Sequence, residues 1–160
     1  MAVVTTFSHK FLEEVVKGQH DVTTDTLKVI LMDTTFAFDP DTHATYADCV
    51  GAGSGSGSGS AAGAGEIDSG NGYTTGGETL TTVAVSIDAV TDQVDITADN
   101  VTWTATGGAI AETGSAIVYN DDHANDTVVM CIDFGADYIT AEDKLFQLNF
   151  SNGLAVVDNG

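Results

Sequence analysis

The sequence predicts an all-β fold: an antiparallel β-sandwich or jelly-roll-like barrel of about eight strands, with one short N-terminal helix. Three observations predict it. Apolar and polar residues alternate over short segments, which is the period of a half-buried strand. Turn residues separate those segments at frequent intervals. Glycine is abundant, at 18, and proline nearly absent, at 1, in a chain of 160 residues that is 42% apolar. That length and apolar share suit a single domain, 1–160, with a core of its own.

The helix is expected over residues 7–17. Phe7, Phe11, Leu12, Val15 and Val16 fall on one face, and Glu13, Glu14 and Lys17 on the other. Thr6 or Ser8 suits its start and Gly18 its stop. Thr26–Asp33 is apolar on both faces, as a central strand should be. Leu80–Ile87 alternates, with Val83, Val85 and Ile87 on one face. Gln93–Thr97 and Val101–Ala105 flank an Ala-Asp-Asn turn and direct Val94, Ile96, Val101, Trp103 and Ala105 inward. Ser115–Tyr119 and Thr127–Phe134 flank a polar tip, Asn120–Asp126. Leu145–Phe150 turns Phe146, Leu148 and Phe150 one way, and Gln147 and Asn149 the other. Leu154–Val157 closes the chain. The expected core anchors are Phe11, Trp103, Tyr119, Phe134, Phe146 and Phe150, with the Tyr119 hydroxyl reaching water beside the tip.

Residues 51–65, GAGSGSGSGSAAGAG, have no charge, no apolar period and no turn chemistry. They read as a Gly/Ser/Ala-rich flexible loop between two strands of one domain. They do not divide two domains, because the single strand before them cannot form a core.

Charge narrows the function. There are 24 acidic residues against 4 lysines and no arginine, for a formal net charge of −20. A nucleic-acid partner requires cations to replace the counterions on phosphate, so none is expected. Anionic membrane surfaces are disfavoured for the same reason. No apolar run approaches the ~20 residues of a membrane span, so no membrane insertion is expected. Eighteen of the acids are Asp, which reads as solvated turns. The N-terminus lacks the basic and apolar regions of a standard signal peptide, which predicts synthesis in the cytoplasm.

Candidate chemistry is sparse. Cys49 and Cys131 belong to no CxxC or Cys/His cluster and read as two buried free thiols, with a disulfide between them as the alternative. His9, His20, His43 and His123 show no HxH or HExxH spacing and read as exposed or locally bonded. No GxSxG elbow or phosphate loop is present, and Gly70-Asn71-Gly72 and Gly76-Gly77 read as turns. No catalytic residue is assigned. The one cofactor with residues of the right type is a structural calcium ion. Asp39, Asp41 and Asp48 share one loop, and Asn120, Asp121, Asp122, Asn125 and Asp126 share one tip, though neither run matches an EF-hand.

Several segments resemble a family of small tailed-phage virion proteins. The likeness begins with DTLKVILMD and FDPDTHATYADC and continues through EIDSGNGYTTGGETL, DNVTWTA, SAIVYND and CIDFGAD to FQLNFSNGLAVV. It covers nearly the whole chain in order, apart from residues 51–65, where such proteins pass through only a few residues. The resemblance implies a β-rich structural subunit of the head or tail region, with no catalytic residues to carry over. The expected function is self-assembly in a virion or an extracellular filament, with copies of itself and other virion proteins as partners. The expected assembly contacts are the terminal strands, at Ala2, Val3 and Val4 and at Leu154, Val156 and Val157, adding to a neighbour's sheet edge. The alternative is a glycan- or receptor-binding module presenting Tyr46, Tyr73 and Tyr138 on loops.

Overall fold

The computed structural model describes residues 3–50, 65–89, 93–150 and 155–158. Ala2, Leu154 and all but the last residue of the 51–65 segment lie outside them. In order come β1 (Val4–Phe7), α1 (His9–Val16), β2 (Leu27–Asp33), α2 (Tyr46–Val50), β3 (Glu78–Thr79), β4 (Ala84–Asp88) and β5 (Gln93–Thr97). These are followed by β6 (Val101–Thr104), β7 (Ile110–Asn120), β8 (Val128–Thr140), β9 (Leu145–Leu148) and β10 (Ala155–Asp158). The fold is all-β. The described residues form ten strands rather than about eight, in three antiparallel sheets ordered β1-β8-β7-β2-β3, β10-β5-β4 and β6-β9.

The five-stranded sheet is covered on both faces. Alternation along β2 sends Leu27, Val29 and Leu31 to one side and Ile30 and Met32 to the other. The first set joins the main core with Phe11, Trp103, Phe134, Leu148 and Phe150, and Phe146 packs against its rim. The second set joins a smaller cluster with Cys49, Tyr119 and Cys131, over which Phe36, Phe38 and Tyr46 pack. This is why the sequence of β2 is apolar throughout.

Three elements differ from expectation, each for a local reason. The helix starts at His9, because Phe7 ends β1 opposite Met130 and the Ser8 amide donates to the Val129 carbonyl at 3.0 Å. Phe7 still stacks on Phe11, with ring centroids 6.0 Å apart. The helix also faces the core along a different line. Phe11 and Glu14 are buried, whereas Leu12 and Val15 are exposed and Val16 is 88% exposed. Leu80–Ile87 is not one strand. Thr82 takes φ 55° between β3 and β4, and Ile87 is 80% exposed. Val85 and Ile87 stand opposite Ile96 and Val94, and of these four side chains Ile96 alone joins the core while the other three stay exposed. β8 runs past Phe134 to Thr140 through a kink at Gly135, φ 68°, whose amide donates to Asp133 Oδ1 at 2.8 Å.

α2 is a second, short helix that the apolar pattern did not predict. Tyr119 is buried, and its hydroxyl donates to the Gly76 carbonyl at 3.0 Å rather than reaching water. Gly77, at φ 67°, lies where a Cβ would run into the Val29 carbonyl oxygen, so glycine is required there. Cys49 and Cys131 are free and buried. Burial pushes both thiols up, Cys131 to about 12.

Candidate functional site

The structure gathers buried polar groups at two places, and neither is legible from residue spacing. The first is built by the end of α1. Lys17 closes the helix and Gly18 turns left-handed at φ 69°, its amide donating to Val15 O at 2.9 Å while the Gln19 amide donates to Glu14 O at 3.0 Å. This pair of bonds is a Schellman stop. It reverses the chain and lays the His20 ring back on the Glu14 side chain, with His20 Nε2 2.9 Å from Glu14 Oε2. The His20 side chain is fully buried, against Phe11 at 5.0 Å and His123 at 4.6 Å between ring centroids.

His123 arrives from the far end of the chain, on the β7–β8 connection. That connection is fixed by its own bonds. The Asp126 amide donates to His123 O, the Asp122 amide to Asn120 Oδ1, and the Thr26 amide to Asp122 Oδ2. His123 Nε2 lies 3.9 Å from Glu14 Oε2, and Thr127 Oγ1 lies 2.9 Å both from that oxygen and from His123 Nδ1. Asn120 is buried as well, with Nδ2 2.7 Å from Asp25 Oδ2 and 2.9 Å from His20 Nδ1. Lys10 holds the other Glu14 oxygen at 3.1 Å. Burial pushes the Glu14 carboxyl up, but donation from His20, Lys10 and Thr127 and the nearby His123 outweigh it and lower it to about 2.

The second place surrounds Glu66, which is 1% exposed. It accepts from the Tyr46 hydroxyl, the Tyr73 hydroxyl and the Gly76 amide, each at 2.6 Å. The Tyr73 hydroxyl in turn accepts from the Leu31 amide at 3.1 Å. Burial raises the Glu66 carboxyl above its ordinary range, against the pull of those three donors. Burial also raises both tyrosines. Glu66 bridges to Met32 in β2, and Tyr46 opens α2, so their bond spans the two flanks of the Gly/Ser/Ala segment.

The predicted site residues fall elsewhere. Asp39, Asp41 and Asp48 do not converge. Asp39 accepts from the Asp41 amide, Asp41 pairs with His9 at 2.6 Å, and Asp48 accepts from the Thr45 amide and hydroxyl. Among the described residues the one group of three ligand-capable side chains is Glu14, His20 and His123, with donor atoms within 4.8 Å of one another. Histidines expected to be exposed or locally bonded thus include two that meet inside the protein. Of the three tyrosines considered for a glycan face, Tyr73 is buried, Tyr46 is partly buried on α2, and Tyr138 is exposed. Val3 and Val4 are exposed, but β1 is already paired with β8, and Val156 and Val157 in β10 are paired with β5. Neither terminal strand is a free arm.

Two apolar grooves complete the surface. One, of about 500 Å³, is lined by Val3, Ile132, Phe134, Tyr138, Leu145 and Phe146 beside the outer strand β1. The other lies between α1 and the β4–β5 pair, lined by Leu12, Val15, Val22, Val85 and Val94. No helix among the described residues is long and apolar enough to cross a membrane. Set against family models, curated proteins and solved structures, the chain matches none.

Proposed function

We propose that this protein is a non-enzymatic, self-assembling structural subunit of a phage-like virion, as capsid decoration, neck or tail component, or of an extracellular filament. It is made in the cytoplasm and acts through contacts with copies of itself and with other virion proteins. One observation carries the reading. The groove beside β1 joins an apolar surface to a sheet edge that no described strand covers, since β1 is the end strand of its sheet. Open edges and contiguous apolar patches are what one subunit offers another. Because β1 and β10 are already paired within the chain, the contact is addition at an open edge rather than donation of a loose arm.

A charge of −20 on every copy opposes association, so salt favours assembly. The test is light scattering and electron microscopy of the purified protein from about 0.05 to 1 M salt, a range over which the Debye length falls from roughly 14 to 3 Å. Ordered multimers are expected to grow with salt. Val3→Asp with Leu145→Asp is expected to give a folded monomer, since both side chains are exposed. A wild-type protein that stays monomeric at millimolar concentration across that range overturns the reading.

A further inference from the structure

We propose that Glu14, His20 and His123 form a binding site for a divalent transition-metal ion of the zinc type. Their donor atoms come from three separate segments and lie within 4.8 Å of one another. The separations from Glu14 Oε2 are 2.9 Å to His20 Nε2 and 3.9 Å to His123 Nε2. Ligands at about 2.0–2.1 Å from a tetrahedral zinc ion stand about 3.3 Å apart, so the two distances bracket the required spacing. Small side-chain rotations close the difference.

The surroundings orient the three ligands. Lys10 occupies Glu14 Oε1, which leaves Oε2 as the ligating oxygen. Thr127 has one hydroxyl proton and gives it to Glu14 Oε2, so its oxygen accepts from His123 Nδ1–H. That fixes the His123 proton on Nδ1 and leaves Nε2 with its lone pair toward Glu14. On His20 the side-chain amide of Asn120 faces Nδ1, because Asn120 Oδ1 is already taken by the Asp122 amide. The His20 proton therefore sits on Nε2, donated to Glu14, when no metal is bound. Metal entry moves that proton to Nδ1. The Asn120 amide must then turn away from Nδ1, since two N–H donors cannot face one another at 2.9 Å, and Asp25 Oδ2, 4.0 Å from Nδ1, becomes the acceptor. A carboxylate behind a ligating histidine is the usual outer support of zinc sites.

Two imidazoles and one carboxylate select against calcium and magnesium, which take oxygen ligands. His123 is the ligand nearest solvent, its side chain 18% exposed, so a water molecule completes the set from that side. The metal would clamp α1 and the turn after it to the β7–β8 connection.

The test is calorimetric titration of the full chain with Zn²⁺, Co²⁺ and Ca²⁺, with X-ray absorption on the Zn²⁺-loaded wild type. Expected are one tight Zn²⁺ equivalent, a rise in melting temperature, two imidazoles in the absorption spectrum and no competition from excess Ca²⁺. Thr127→Val should weaken Zn²⁺ about 10-fold. His123→Asn, at the accessible edge, should abolish the tight equivalent while circular dichroism stays unchanged. His9→Ala with His43→Ala should leave it intact. The absorption spectrum needs no variant, so it decides the matter even if His123→Asn unfolds. Absence of a tight equivalent, its survival in folded His123→Asn, its loss in the His9/His43 variant, or a spectrum without two imidazoles overturns the proposal.

Discussion

Glu14 and Glu66 are both buried carboxyls, yet their surroundings push them in opposite directions. Glu14 sits among Lys10, His20 and His123, and its carboxyl is lowered to about 2. Glu66 sits among two tyrosine hydroxyls and an amide, and its carboxyl is raised. Burial acts the same way on both, against the charged form. What differs is whether the partners bring positive charge or only neutral dipoles. Three neutral donors at 2.6 Å do not offset burial at Glu66, whereas cationic and imidazole donors do at Glu14. The first site is therefore a salt-linked anchor for a helix, and the second a hydrogen-bonded knot in the sheet.

The contrast can be broken first at Glu66. Glu66→Ala leaves two hydroxyls and one amide without their acceptor, in a space too closed for easy replacement by solvent. At about 1–3 kcal/mol per orphaned group, a loss of about 4 kcal/mol is expected in urea unfolding. Glu14→Ala should cost less, about 2 kcal/mol, because Lys10 also pairs with Glu13 and turns toward water. A chelator should be present, so that only the bare hydrogen bonds are weighed. The smallest effect is the one that tests the opposed directions. A carboxyl raised by folding contributes stability that is fully present below its unfolded value and lost as pH rises through its folded value. Glu66→Gln keeps the shape of the group and lacks that titration. The stability of the wild type relative to Glu66→Gln should therefore fall as pH is raised above about 4, the ordinary range of a glutamate. A difference that stays flat over that window would show that the three donors hold Glu66 ionised after all.

The sheet frame was readable because its signal is periodic and local. β2 is apolar on both faces, and the structure covers both; the alternation of Phe146, Leu148 and Phe150 is likewise the burial the structure gives them. What was not readable is where periodicity yields to long-range geometry. Glu14 stands three residues from Phe11, at the border of the apolar stripe, and a helical wheel assigns it to water. It is inside because Gly18 folds His20 back on it and because the β7–β8 connection brings His123 from more than a hundred residues away. The one available hint was a carboxylate at that border followed by a left-handed glycine and a histidine. Val85 and Ile87 mislead in the opposite sense, since perfect alternation says that a strand has two faces but not that either meets the core. The acidic loop at Asp39, Asp41 and Asp48 resembled a cation site by composition, but its carboxylates cap neighbouring amides or pair with His9.

The position of Gly65 has a practical consequence. The Val50 carbonyl oxygen lies 3.6 Å from where a Cβ on Gly65 would stand, so the chain departs from α2 and rejoins β2 at almost the same point. The distance the intervening polypeptide must bridge is therefore nearly nil, whatever its length. A folded passenger whose own ends are adjacent would fit there without prying the scaffold apart, and in an assembly every copy would carry one. The same doorway suits a protease site, because cutting a thread whose ends are anchored at α2 and β2 leaves the two pieces knitted together.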